Sequence, residues 1–197
     1  QTQQLLGYIQ DENLRIRIHI CEILGESGVA SAEPALLQAA EDSSWVVRIK
    51  AITHLAKNPT EIAAQTIQQA LMEADELQRP MIVEALTSLN HSLLEHFFPQ
   101  ILILLHDDNI EIRQHAVGLL AHFQSPETQS ALAGCLQDPV VEIRLKAVES
   151  LGTIGSTNAT PLLVKMLNDP DSRVRLRSAY FLGQFRDDRA VDSLLNA

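Results

Sequence analysis

Residues 138–152 read DPVVEIRLKAVESLG, and the pattern returns in both directions along the chain. Thirty-one residues after Asp138, Arg144 and Leu151 stand Asp169, Arg175 and Leu182, and thirty-one before them stand Asp107, Arg113 and Leu120. A period of this length holds one helix-turn-helix. Such a unit cannot bury its own apolar faces, so copies must stack side by side. This predicts an all-α, right-handed α-solenoid of about six two-helix repeats, starting near residues 11, 42, 76, 107, 138 and 169.

The chain opens with what reads as half a repeat. In residues 1–10, Leu5, Leu6 and Ile9 fall on one face of a short helix that precedes Asp11. In repeat one, a first helix is expected over Glu12 to Gly25, with Ile16, Ile20, Ile23 and Leu24 facing inward. Gly25 and Gly28 end it, and Ser31 opens the second helix ahead of Glu33 and Pro34. Repeat two carries Arg48, Ala51 and Leu55 in register; Asn58-Pro59 breaks its first helix and Thr60 caps its second. Repeat three departs from the pattern. Its Ile82, Ala85 and Leu89 stand 34 residues after Arg48, Ala51 and Leu55, so about three residues are inserted near Met72–Leu77. Its second helix, expected over Leu93 to Leu105, is unusually apolar. Repeat four has Pro126 and then Leu132, Cys135 and Leu136, and repeat six closes on a helix around Val191, Leu194 and Leu195. The half repeat at the start, and the stop where a seventh repeat would begin, suggest a piece of a longer protein.

The recurring polar residues have a structural reading. Asp107, Asp138 and Asp169 are expected to accept from the free amides at the start of each first helix, with Pro139 and Pro170 in its first turn. Arg17, Arg48, Arg113, Arg144 and Arg175 are expected to bond to the aspartates or loop carbonyls of neighbouring units. Together they form a ladder along the array, because a guanidinium offers several donors in a fixed fork.

The pattern D-P-x-x-x-[VI]-R-x-x-A-x-x-x-L-G resembles the short HEAT-like repeat of bilin (phycobilisome) lyase subunits and many other bacterial proteins. It is nearly complete at 138–152, recognisable at 169–183, 107–121 and 11–25, and weak at 42–56 and 76–90. The resemblance implies the fold. It also implies a range of roles, from handling open-chain tetrapyrroles to scaffolds and regulatory modules of larger enzymes or transporters. No residue matches a bilin-handling motif.

Composition narrows the function. The net charge of −10 argues against nonspecific binding to nucleic acid or anionic lipid. Residues 1–112 hold 16 acidic and 6 basic side chains, and residues 113–197 hold 9 of each. That excess either keeps the array soluble or presents an acidic face to a basic partner. The longest apolar run, 101–105, is too short to span a bilayer. Cys21 and Cys135 are isolated and fit two buried thiols in a reducing compartment, the cytoplasm. Neither the histidines nor the cysteines have metal-site spacing, and no nucleophile, phosphate-loop or dinucleotide motif is present. No metal or cofactor is expected, and catalysis is disfavoured.

The expected function is therefore a noncatalytic protein-interaction scaffold or regulatory domain that binds a basic or amphipathic segment on the second-helix, concave face. His96, Phe97, Phe98 and Gln100, in the apolar helix of repeat three, are the candidate contact residues. The apolar excess there has two readings, a thicker core or an exposed patch.

Overall fold

The computed structural model describes residues 5–187, all helical or in connecting turns. The helix expected around Val191, Leu194 and Leu195 lies outside the described residues. Twelve α-helices occur in chain order among the described residues: α1 (Leu14–Ser27), α2 (Glu33–Ala39), α3 (Trp45–Lys57), α4 (Glu61–Glu73), α5 (Arg79–Leu86), α6 (His91–Leu94), α7 (Phe98–Leu104), α8 (Ile110–Leu120), α9 (Pro126–Cys135), α10 (Val141–Ile154), α11 (Thr160–Met166) and α12 (Ser172–Phe185). Short 3-10 turns cover Leu6–Gln10, Ala30–Ala32, Glu95–Phe97 and Thr157–Ala159. The chain forms two compact units, Gln1–Phe98 and Pro99–Ala197.

In each unit the first helix of a repeat packs on the first helix of the next: α1 on α3 and α3 on α5, then α8 on α10 and α10 on α12. Each second helix packs against the first helices beside it, as α2 and α4 do on α3 and α11 does on α12. The buried layer consists of the recurring apolar positions. Ala51, Ala116 and Ala147 are fully buried, and Leu55, Leu120 and Leu151 are at most 3% exposed. Small residues there let neighbouring helices approach closely.

The arginine ladder has a specific geometry. Arg17 donates through Nε and Nη2 to the two carboxylate oxygens of Asp42, at 2.7 and 3.1 Å. Arg113 does the same to Asp138 at 3.1 and 3.4 Å, and Arg144 to Asp169 at 2.8 and 3.0 Å. The Nη1 of each arginine turns back to two carbonyls just ahead of its own helix, those of Asp138 and Pro139 for Arg144. Each rung therefore ties two successive repeats together.

The aspartates work differently from the sequence expectation. They do not cap the helices; the N-cap residues are Asn13, Asn109 and Asp171, two positions later, with Ser44 and Val140 at the same place. Each aspartate instead accepts from the amide of the residue two on, as Asp107 does from Asn109 and Asp169 from Asp171. In Asp42, Asp138 and Asp169 one carboxylate thus fixes its own turn and receives the arginine of the preceding repeat. Pro139 and Pro170 lie in that turn, outside the helix.

Three further expectations change. Gly28, with φ of 62°, ends α1 in the left-handed region where glycine is favoured, while Gly25 lies within the helix. Gly25 is needed for close approach instead, because a Cβ there would stand 2.0 Å from the His54 ring of α3. Ser31 does not cap α2; Ala32 precedes it, and Thr60 does cap α4 by accepting from the Ala63 amide. Ile16 and Ile23, expected inside, are 37% and 44% exposed on the outer edge of α1.

His54 is buried against α1, and among the described residues its Nδ1 has no hydrogen-bond partner. Burial, helped by Lys57 and Lys50 and opposed by Glu26 and Glu22, holds its pKa below the ordinary 6.5. The unfolded chain therefore takes up this proton first as pH falls, so the stability of the first unit declines below about 6.5. The decline ends once the folded imidazole itself titrates. Thermal melts between neutral and mildly acid pH should show this slope, and His54→Gln should remove it.

Candidate functional site

The inserted residues of repeat three reshape the first unit. The connection 74–78 after α4 has five residues, as 40–44 and 167–171 do, so the inserted residues lengthen α4 itself, which has 13 residues against 7 in α2 and α11. Among the described residues, no aspartate reaches Arg48 in the ladder position. Arg48 Nη2 meets the Gln78 side-chain oxygen at 3.3 Å, and the Gln78 amide donates to Asp75 at 2.7 Å. A neutral amide thus relays between arginine and carboxylate where the other rungs pair them directly.

A cavity of about 670 Å³ opens beside this altered rung. Its floor is apolar, with Ile49, Ile52 and Ile82, and its walls carry Glu41, Gln65, Gln69 and Glu73. The outer face of α4 continues from it. Ile62, Gln65, Gln69 and Met72 recur at helical spacing and are exposed, Ile62 to 61% and Met72 to 71%. Gln69 bonds to Glu73 along this face. Residues 1–98 hold 13 acidic and 6 basic side chains, a net of −7. This face can therefore offer apolar contact, amide hydrogen bonds and an attractive field for cations.

The residues singled out from sequence are distributed unevenly. His96 is exposed, with Nδ1 3.3 Å from Glu61 at the start of α4, and its carbonyl accepts from Gln68. Phe97 is completely buried and belongs to the core of the first unit, not to an accessible surface. Phe98 is half-buried at the end of that unit. Gln100 lies in the second unit, half-buried, with a side-chain oxygen that has no hydrogen-bond partner among the described residues. The expected long helix over 93–105 is three pieces, α6, a 3-10 turn and α7, and Leu94, Ile101, Leu104 and Leu105 in it are buried. Ile103 alone among its large apolar side chains is strongly exposed, at 72%. The apolar excess of repeat three is therefore mostly a thicker core. The α4 face was not singled out from sequence, although Ile62 and Met72 at polar-face positions of a Gln-rich helix carried the signal.

Chemistry at the cysteines is suppressed. Burial pushes the Cys21 thiol up to about 12 and the Cys135 thiol up to about 11, so neither is a thiolate at neutral pH. Among the described residues, no cluster of three or more His, Cys, Asp or Glu side chains is placed to hold a metal. No described helix is long and apolar enough to cross a membrane.

Stacked two-helix units tied by an arginine ladder define an α-solenoid, all-α and right-handed in its winding, as in the armadillo repeat structures it matches. The family pattern of HEAT repeats matches residues 2–90, 98–170 and 141–197, and the chain belongs to that family. No curated protein matches the sequence. Among solved structures, YibA of E. coli is similar at 17% identity and a TM-score of 0.67, over 98% of this chain and 74% of that one. A designed armadillo repeat protein in complex with the peptide (KR)4 is similar at 17% identity and 0.66, over 93% and 98%. Cex1p is similar at 16% identity and 0.66, over 99% of this chain and 43% of its own.

Proposed function

We propose that this chain is a noncatalytic scaffold that binds a basic amphipathic segment of another protein on the second-helix face of its first unit. The observation that carries this reading is the α4 face. Exposed Ile62 and Met72 flank Gln65 and Gln69 beside a cavity walled by Glu41 and Glu73. Apolar anchors of a helical or extended segment would rest on the isoleucine and methionine, and its lysines or arginines would meet the glutamates. His96 borders this face beside Glu61 and extends it. The designed armadillo repeat protein that binds (KR)4 supports the reading, since a similar fold there holds a basic peptide. A tetrapyrrole-handling role like that of bilin lyases is not adopted, because both thiols are buried and protonated.

The test uses a model amphipathic peptide of leucine and lysine and its counterpart of leucine and glutamate. Isothermal titration should show binding of the lysine peptide alone, weakening as salt is added. The double variant Glu41→Lys, Glu73→Lys should lose about ten-fold or more in affinity with an unchanged melting temperature. Equal binding of both peptides, or no effect of the charge reversal, would overturn the reading.

A further inference from the structure

The cavity of the first unit is lined by an arginine prepared for a carboxylate that no described residue supplies, and we propose that an acidic side chain of the bound basic segment takes that place on Arg48. The inference rests on the peptide-binding reading of the α4 face and adds to it one residue of opposite sign.

The other rungs show what such a fork is built to hold. In Arg17, Arg113 and Arg144, Nη1 is anchored on two backbone carbonyls, and Nε and Nη2 meet both oxygens of an aspartate. Arg48 is anchored in the same way, its Nη1 donating to the carbonyls of Asp42 and Ser43 at 2.8 and 3.2 Å. Its outer fork differs. Nη2 meets only the neutral Gln78 side-chain oxygen, at 3.3 Å, and Nε bonds to no described residue. A guanidinium held like this has already lost much of its freedom. A carboxylate that reaches it gains two charge-assisted hydrogen bonds at little ordering cost.

The acidic residues around Arg48 are engaged elsewhere or turned away. Asp42 holds Arg17, and Asp75 accepts from the amides of Leu77 and Gln78 and from the Gln78 side chain. Glu73 stands 25 residues after Arg48, as Asp42 does after Arg17, but bonds to Gln69. Glu76 stands six residues before Ile82, as Asp138 does before Arg144; it is exposed and bonds to no described residue.

Arg48 and Gln78 line the same cavity as Glu41 and Glu73, so a segment seated there can reach the fork. The apolar floor of Ile49, Ile52 and Ile82 limits the water that competes for an ion pair. The charges of the lining alternate in sign. A segment that is basic throughout satisfies Glu41 and Glu73 but sets a cation near Arg48. A segment with one acid among its bases satisfies all three.

The experiment is isothermal titration of the full chain with the leucine and lysine peptide and a set of single replacements. Each lysine in turn is replaced by glutamate and, as the uncharged control, by glutamine. All peptides carry amidated ends, so that only a side chain supplies a carboxylate. At one position the glutamate peptide should bind about ten-fold tighter than its glutamine counterpart. Arg48→Met removes the fork, and Gln78→Glu fills it from within the chain. In each variant the two peptides should bind equally at that position. Circular dichroism and melting temperature check folding, and if Arg48→Met alters the fold, Gln78→Glu decides. Binding of the all-lysine peptide with no position that favours glutamate overturns this inference and leaves the reading of the α4 face standing. A preference for glutamate that persists in Gln78→Glu, or in a folded Arg48→Met, does the same. Failure of every lysine-bearing peptide to bind overturns both.

Discussion

Replacing Phe97 by alanine should lower stability by about 3–5 kcal/mol, the range for emptying a large aromatic site in a packed core. The ring belongs to the last residue of the 3-10 turn that interrupts the second helix of repeat three, and it is completely enclosed in the first unit. The expected readout is a large drop in the urea midpoint at unchanged slope. A residue on an accessible binding face would behave in the opposite way, losing a partner with little change in the midpoint. Phe97→Leu, which keeps much of the volume, should recover most of the loss. Retention of the wild-type midpoint in Phe97→Ala would place the ring on the surface and contradict its burial.

Arg144→Ala should cost about 3 kcal/mol or more, because it leaves a carboxylate without its cation in a place water hardly reaches. The Asp169 side chain is 3% exposed and that of Arg144 13%. The alanine variant also frees the carbonyls of Asp138 and Pro139 that Nη1 had satisfied. The Arg144 hydrogen bonds hold the Asp169 carboxyl below the ordinary 3.8, against the opposing effect of burial. Wild-type stability from this pair is therefore present above 3.8 and lost as pH falls through the lowered value. In Arg144→Ala the carboxyl should titrate at higher pH, so acid unfolding should begin earlier. Arg175→Ala gives the contrast. With no described residue on its outer fork, it should change the midpoint by no more than about 0.5 kcal/mol, as ordinary surface changes do. Similar losses for the two variants would mean that the backbone contacts, and not the carboxylate pair, carry the rung.

The repeat, its period and most helix positions could be read in the sequence because each rests on short-range chemistry repeated several times. The spacing of 25 residues between Arg113 and Asp138, and between Arg144 and Asp169, is a covalent property visible without coordinates. Asp42 stands at the same distance from Arg17 and could have been placed in the ladder on that ground. What could not be read depended on neighbours. An aspartate two residues ahead of an N-cap looks like a cap in sequence, because both accept from amides near a helix start. Ile16 and Ile23 have the spacing of a buried stripe, and they are exposed because no described helix lies over that face. The apolar excess of repeat three left both a thicker core and a surface patch open, because it was counted against a single helical stripe. The α4 face could not be ranked from sequence, since its standing depends on the cavity beside Arg48.

The fit of His54 over Gly25 and of Phe181 over Gly152 has a consequence for how freely such an array can be rearranged. Where the projecting residue is a ring, the preceding repeat has glycine; where it is Ser88 or Ser150, the preceding repeat has Ala56 or Ala121. Each repeat is thus cut to the size of one particular neighbour. Exchanging repeats two and five would set Ser150 over Gly25 and leave a void, and set His54 over Ala121, where a methyl group occupies the space the ring requires. The units share a motif but are not interchangeable, and their order along the chain is written in the volumes of a few side chains.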